Sequence, residues 1–226
     1  MYTSDQRPQR EPQDFFHPVI HLPEEYSVLD LSRTAQFDTS KSTRENERKG
    51  QYQIGKFDEV REELYNQPLF NQESSPRCVH MGIDIGAPVH TEVFSFDRGV
   101  VYAFGALKER GDYGHTVVIE YVWRDTIPLT CGENKIQQGQ IYWALYGHLS
   151  ADSMTLLSER ASVKRGQLIG WLGGHEDNGG WPPHLHFQLS RSMPANHDLP
   201  GVVTLAERHQ ALNIYPDPRD ILGAIY

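Results

Sequence analysis

The stretch Pro-Pro-His-Leu-His-Phe-Gln-Leu, residues 182–189, is the most informative segment for the fold of this 226-residue chain. The two prolines favour extended backbone, and the residues after them alternate between polar and apolar. On a β-strand, Leu185, Phe187 and Leu189 would face the core, and the two histidines would face the other way. The stretch therefore predicts a strand with two imidazoles on one face.

Similar short runs recur from about residue 68 onward. They are rich in β-branched and aromatic residues, and Gly, Pro, Asp or Asn separates them, as is typical of strands joined by turns. The runs cover residues 93–96, 99–104, 115–122, 140–146, 167–172 and 184–189. This pattern predicts an all-β, mainly antiparallel domain over residues 70–226, a sandwich or barrel with the C-terminal tail on its surface.

Residues 1–69 have a different composition and are predicted to form an N-terminal extension. Residues 1–14 are polar and rich in Pro, Gln and Arg, so we expect them to be disordered. The patterns after them predict three further features: a strand at residues 26–31, a solvated charged segment at 41–56, and a short helix with Phe57, Val60 and Leu64 on one face.

Charge and composition bound the partners and the compartment. The net charge is −9, which argues against a nucleic-acid binder. No apolar run is long enough to span a bilayer, and the N-terminus has no signal-type apolar region, so we expect a cytoplasmic protein, or a periplasmic or extracellular one if the sequence is a processed form. The two cysteines, Cys78 and Cys131, are expected to be free thiols, with Cys78 kept as a minor candidate metal ligand.

A second polar pattern runs from His80 to Asp84. If this segment is a strand, His80, Gly82 and Asp84 share a face, and the glycine leaves room for an ion. A histidine and a carboxylate suit Zn²⁺, but a strand-end aspartate beside an unrelated histidine fits the pattern equally well. The two imidazoles of residues 184–189 could both bind one metal, or one could bind while the other transfers protons, and their spacing does not decide between these roles.

Three motifs together resemble the zinc metallopeptidases of the M23 family, the lysostaphin and LytM type of peptidoglycan endopeptidase. They are His-x-Gly-x-Asp at residues 80–84, Tyr-x-His-Leu at 146–149 and Pro-His-Leu-His-Phe at 183–187. Intervening pieces at 86–93, 99–101, 113–119 and 163–170 resemble the family as well. The resemblance covers residues 78–192, about half of the chain.

The resemblance implies a role for each motif residue. His80, Asp84 and His186 would bind one zinc ion, and His148 and His184 would form the catalytic pair. The fold would be a β-sandwich or barrel-like domain of the duplicated hybrid motif type, and the substrate a peptide bond in peptidoglycan cross-links or similar short peptides. The chain departs from the family at His115, where Asn is usual, and at residues 176–181, where a turn rich in Ser and Thr is usual.

Other functions remain open at this point. One alternative is a cytoplasmic metallohydrolase that acts on another amide or small substrate with the same fold. Another is a non-catalytic binding or scaffold protein that contains a metal. The extension could also cap the groove with His17 or His21 near the zinc, although a packed or loose structural segment is the simpler reading. The sequence does not predict the oligomeric state.

Overall fold

The structure is a computed structural model that describes residues 15–32, 52–65, 68–71, 75–123 and 139–226. Its strands are β1 (Ser27–Val28), β2 (Gln53–Gly55), β3 (Arg77–His80), β4 (Ile83–Gly86), β5 (Glu92–Phe94), β6 (Gly99–Leu107), β7 (Gly114–Val122), β8 (Ile141–Leu149), β9 (Ser162–Val163), β10 (Leu168–Trp171), β11 (His184–Ser190) and β12 (Val202–Thr204). The helices are α1 (Arg208–Ile214) and α2 (Arg219–Leu222), with 3₁₀ segments at Pro68–Phe70 and Ala151–Leu156.

Within the described ranges, most strands join one large sheet. Its order is β1-β2-β4-β11-β8-β7-β6-β9, and two small sheets pair β5 with β10 and β3 with β12. Only β1 and β2 run parallel among these pairs. The predicted β-rich, mainly antiparallel fold is confirmed. Closure into a sandwich or barrel, and the domain boundary after residue 69, stay predictions.

Strand β11 lies inside the large sheet, between β4 and β8. The side chains of Leu185, Phe187 and Leu189 are fully buried in the largest apolar cluster, where each contributes roughly 1.5–3 kcal/mol relative to an exposed position. His186 and Gln188 project from the opposite face and are buried too. The strand therefore holds its polar face rigidly against other parts of the chain.

The predicted helix carrying Phe57, Val60 and Leu64 is wrong. This segment forms turns and an isolated bridge between Val60 and Val79. The backbone N–H groups of Asp58 and Arg61 donate to carbonyls of β3 at 2.8 and 2.7 Å, so they are not available for helical bonds. The three apolar side chains pack into three different clusters instead of sharing one face.

The segment from His80 to Asp84 is not one continuous strand, contrary to the period-two interpretation. β3 ends at His80 and pairs with β12, whereas β4 begins at Ile83 and pairs with β2 and β11. The backbone turns at Gly82, where a Cβ atom would lie 2.5 Å from the His186 ring. The space that Gly82 leaves is thus filled by His186.

The remaining predictions outside the sheet have mixed outcomes. The strand predicted at residues 26–31 is confirmed as the shorter β1. The disorder predicted for residues 1–14 falls outside the described residues, as do most of the charged segment and Cys131. No helix of the described part of the chain is long and apolar enough to cross a membrane.

Candidate metal and proton-transfer site

Three strands bring His80, Asp84 and His186 together. His80 ends β3, and Asp84 on β4 is the register partner of His186 on β11. His80 Nε2 lies 3.1 Å from His186 Nδ1. Asp84 Oδ1 lies 3.2 Å from each of these two nitrogens. Both histidine side chains are almost completely buried.

The hydrogen bonds on the far side of each ring fix its tautomer. His80 Nδ1–H donates to the carbonyl of Lys56 at 2.8 Å, because a carbonyl can only accept. His186 Nε2–H donates to Gln188 Oε1 at 3.0 Å, and the Gln188 amide is oriented by its own bond to Pro200 O at 3.2 Å. His80 Nε2 and His186 Nδ1 therefore turn unprotonated lone pairs towards each other and towards Asp84.

This arrangement fits a divalent cation. The three ligand atoms lie within 4.8 Å of one another, and in the tautomers set by Lys56 O and Gln188 Oε1 none of them carries a proton. Two ligands about 2.0–2.1 Å from a tetrahedral zinc ion would lie roughly 3.3 Å apart, close to the observed separations. Cys78, the minor candidate ligand, lies elsewhere, in an apolar cluster with Val79.

The second carboxylate oxygen of Asp84 is held by Arg61. The guanidinium Nη1 donates to Asp84 Oδ2 at 2.8 Å. Burial acts to raise the pKa of Asp84, but the charge of His80 in its protonated form and that of Arg61 hold it well below its usual range. Burial, followed by the nearby Arg61 cation, lowers the pKa of His80 to about 4. At neutral pH the carboxylate is charged and the imidazole is neutral, as metal ligation requires.

His148 and His184 form a second pair beside the three candidate ligands. Their ring centroids lie 4.1 Å apart, and His184 Nε2 is 3.8 Å from Asp84 Oδ1. Burial lowers the pKa of both imidazoles. His184 Nδ1–H donates to Pro182 O at 2.6 Å and His148 Nδ1–H to Asn178 O at 2.9 Å. Each ring therefore has a free, unprotonated Nε2.

Irregular backbone geometry sets the direction of the His148 side chain. His148 lies in β8 with φ +64°, an uncommon conformation for a residue with a Cβ, and the β7–β8 register shifts between His115 and Val117 opposite it. Such irregularities re-aim side chains next to active sites. Sequence reasoning placed His148 at a strand end but had no signal for the left-handed backbone.

Sequence reasoning missed Asn178, which organises the turn before β11. Its buried side chain donates to the carbonyls of Gly173 and Trp181 at 3.3 and 2.9 Å. Its Oδ1 accepts from the N–H groups of Gly180 and Trp181 at 3.1 and 3.0 Å. The turn that departs from the family pattern at residues 176–181 thus holds the carbonyl that orients His148.

A cavity of about 250 Å³ opens beside the site. It is lined by the three candidate ligands and by the His148–His184 pair, among other residues. Much of its wall is apolar and aromatic. Tyr65 and Phe70 pack at 4.8 Å between ring centroids, and Trp181 lies 6.3 and 6.4 Å from them. Trp181 directly precedes the Pro-Pro-His-Leu-His stretch.

Four other histidines lie apart from the three candidate ligands. His115 Nδ1–H donates at 3.1 Å to the carbonyl of Asp177, which belongs to the turn before β11. His175 is exposed. His17 and His21 pack against Phe94 of β5 at 5.3 and 5.2 Å, so the described part of the extension does not bring them to the site.

Comparison with known proteins finds solved structures with a partial similarity to this chain. No protein-family model and no curated protein matches the chain. A zinc-containing peptidase from Vibrio cholerae is 24% identical over 54% of this chain and 29% of its own, with a TM-score of 0.36. The catalytic domain of the antimicrobial peptidase lysostaphin from Staphylococcus simulans is 19% identical over 65% and 81%, with a TM-score of 0.38. At these scores the likeness carries no weight for function.

Proposed function

We propose that this chain is a zinc-dependent metallopeptidase that hydrolyses peptide bonds in peptidoglycan cross-links or similar short peptides. One observation carries the proposal. Nε2 of His80, Oδ1 of Asp84 and Nδ1 of His186 lie 3.1–3.2 Å from one another, directly beside two neutral imidazoles, and the tautomers inferred from the Lys56 and Gln188 contacts leave all three atoms unprotonated. A cation satisfies the first group, and proton transfer is the chemistry of the second.

His80, Asp84 and His186 would hold the ion. Three protein ligands are the number found at catalytic zinc sites, where one position stays open. A bound zinc ion would supply a Lewis acid that polarises a carbonyl and acidifies water. The protein's own contribution is to keep both ring nitrogens unprotonated and to keep the carboxylate charged. The carbonyl of Lys56, the amide of Gln188 and the guanidinium of Arg61 provide this.

His184 is the proposed general base. Its Nδ1–H is committed to the Pro182 carbonyl, so its free Nε2 can take a proton from the attacking water. Because burial lowers its pKa, the ring is neutral at pH 7 and readily returns a captured proton to the leaving amine. The Asp84 carboxylate 3.8 Å away favours the protonated form while it exists.

His148 is the proposed partner at the developing oxyanion. Its ring stacks on His184, and its Nε2 is likewise free of a proton. A proton on either ring can therefore serve the same reaction centre. With a proton taken from solvent, His148 Nε2 can donate a hydrogen bond to the oxyanion. It can then pass that proton to the departing amine, which receives its other proton from His184 and leaves as an ammonium ion.

The decisive experiment is to incubate the zinc-loaded protein with purified peptidoglycan and with a panel of free peptides. We expect new amino termini by mass spectrometry, loss of cleavage after chelation and recovery with added zinc. The His184→Ala variant is the matched control, because it should bind zinc without cleaving. No cleavage of either substrate class would overturn the proposal.

Two other outcomes identify the alternatives. Cleavage of other amides, with peptidoglycan and free peptides intact, would point to a metallohydrolase with a different substrate. Zinc-dependent binding of peptidoglycan without cleavage would point to a scaffold protein, and the parent and His184→Ala would then behave alike.

A further inference from the structure

Arg61 is the most deeply buried cation that the structure describes near the site, with an exposed fraction of 1%. Each of its three nitrogens donates to a specific partner. Nε donates to Glu59 Oε2 at 2.9 Å. Nη1 donates to Tyr65 OH at 3.0 Å and to Asp84 Oδ2 at 2.8 Å, and Nη2 to Lys56 O at 3.2 Å. A long side chain held at this many points is fixed in one orientation.

The main chain opposite Asp84 is shaped to admit the guanidinium. Gly55 on β2 is the register partner of Asp84 on β4. A Cβ atom at position 55 would lie 2.8 Å from Arg61 Nη2 and 3.0 Å from Asp84 Oδ2. The contact with Arg61 is under 3.0 Å, so something would have to move, and both neighbours belong to the ion pair. The glycine therefore leaves the space in which Arg61 and Asp84 meet.

We propose that Arg61 is a positioning residue for the metal site and acts through Asp84. This inference rests on the proposed function in taking His80, Asp84 and His186 as the ligands. By holding Oδ2, Arg61 stops the carboxylate from rotating and presents Oδ1 to the two histidine nitrogens. Outer partners that orient ligands are part of a metal site's affinity and typically contribute 10–100-fold.

A cation beside a metal ligand also has an opposing effect, since its charge repels the ion. Glu59 offsets part of that repulsion, because its carboxylate lies 2.9 Å from Arg61 Nε. The Arg61 charge is still felt at His80, but the hydrogen bond from Arg61 to Asp84 Oδ2, at 2.8 Å, acts on a ligand directly. We therefore expect orientation to outweigh repulsion, and Arg61 to increase zinc affinity.

Residues 52–65 thereby have a role at the metal site. This segment supplies the Lys56 carbonyl to His80 and the Arg61 guanidinium to Asp84. It thus supports two of the three candidate ligands. A substitution in this segment should change metal binding even though none of its side chains is itself a proposed ligand.

The test measures zinc affinity by competition with a chromophoric chelator and the absorption spectrum of the Co²⁺-loaded protein. Arg61→Lys keeps the charge but cannot make the same fork of contacts, and Gly55→Ala keeps Arg61 but fills its space. Both should weaken zinc binding about 10–100-fold and alter the cobalt spectrum. Arg208→Met is the matched control. It breaks an exposed ion pair to Asp58 on the same segment and should leave both readouts unchanged.

A parallel unfolding measurement without metal separates positioning from folding. Variants that fold like the parent and bind zinc as tightly would overturn the inference. Loss of the metal-free fold in both Arg61→Lys and Gly55→Ala would also overturn it, because Arg61 would then serve the fold. A parent that binds zinc without hydrolysing any peptide would defeat the proposed function and leave this inference standing. A parent that binds no zinc would defeat both.

Discussion

The two halves of the candidate site are supported in different ways. The three candidate ligands are held mainly by groups of other side chains, the Gln188 amide and the Arg61 guanidinium, together with one carbonyl from residues 52–65. The histidine pair is held by backbone carbonyls of Pro182 and Asn178 in the turn before β11. Metal binding and proton transfer should therefore be separable by mutation, each through its own supporting segment.

The largest effect is expected from the candidate ligands themselves. His80→Ala, Asp84→Ala and His186→Ala should each reduce zinc content from about one ion per chain towards zero, and hydrolysis to the level of a blank. The loss should exceed the roughly 100-fold that outer partners cost. Elemental analysis after gel filtration measures it. The exposed His209→Ala variant should keep both metal and activity, and a fully metallated His186→Ala would contradict the assignment.

The histidine pair should give the opposite signature. His184→Ala and His148→Ala should lower the rate roughly 10²–10⁴-fold, the range for loss of a general acid or base, while zinc content stays at the parental level. Rate and metal content are to be measured on the same preparation. If His184→Ala were free of metal while His186→Ala kept it, the roles of the two histidines of β11 would be reversed.

The sequence predicted the strands of this region well because their period-two pattern depends only on neighbouring residues. It also brought His80, Asp84 and His186 into one hypothesis, and the three do lie within 4.8 Å. Their roles stay predictions. The supporting groups were harder to foresee. Arg61 reaches Asp84 only because the backbone near residue 60 bonds to β3, a pairing between distant segments, and that same pairing made the helix prediction wrong. Gln188 had a local signal, since it follows His186 on the same strand face.

Acid should weaken the metal-free protein through its buried imidazoles. The pKa of His80 is lowered from 6.5 to about 4 by folding, so between these pH values the unfolded chain binds a proton that the folded chain does not. Stability therefore falls as pH decreases through this window, by about 2 kcal/mol between pH 7.5 and 5 for His80 alone. Burial lowers the pKa of His148 and His184 as well, which adds to the loss.

Urea unfolding in the presence of a chelator measures this dependence. His80→Ala should flatten the pH dependence relative to the parent, and the exposed His175→Ala should not change it. Saturating zinc should stabilise the parent most at pH 7.5, because protons compete for the same nitrogens as pH falls. The comparison with His80→Ala is essential, because burial raises the pKa of Asp198 to about 6, which favours the folded chain as pH falls through this window and opposes the histidines. Equal pH dependence in the parent and His80→Ala would contradict a buried, neutral His80.

The smallest effects are expected from two residues that only orient a histidine, Gln188 for His186 and Asn178 for His148. Gln188→Leu removes the acceptor that keeps His186 protonated at Nε2, so Nδ1 loses its fixed lone pair and zinc should bind about 10–100-fold more weakly. Asn178→Ala loosens the turn that carries the carbonyl partner of His148. Zinc affinity should then be unchanged, while the rate falls by about 10-fold, the lower end for outer partners.

Zinc titration and single-turnover hydrolysis at saturating zinc separate the two results, because added metal should rescue Gln188→Leu but not Asn178→Ala. The reason lies in what each residue controls: a weakened ligand can be compensated by mass action, whereas a misdirected imidazole cannot. If both variants lost metal to the same extent, the turn and β11 would act as one unit, and the division between metal binding and proton transfer would not exist in this site.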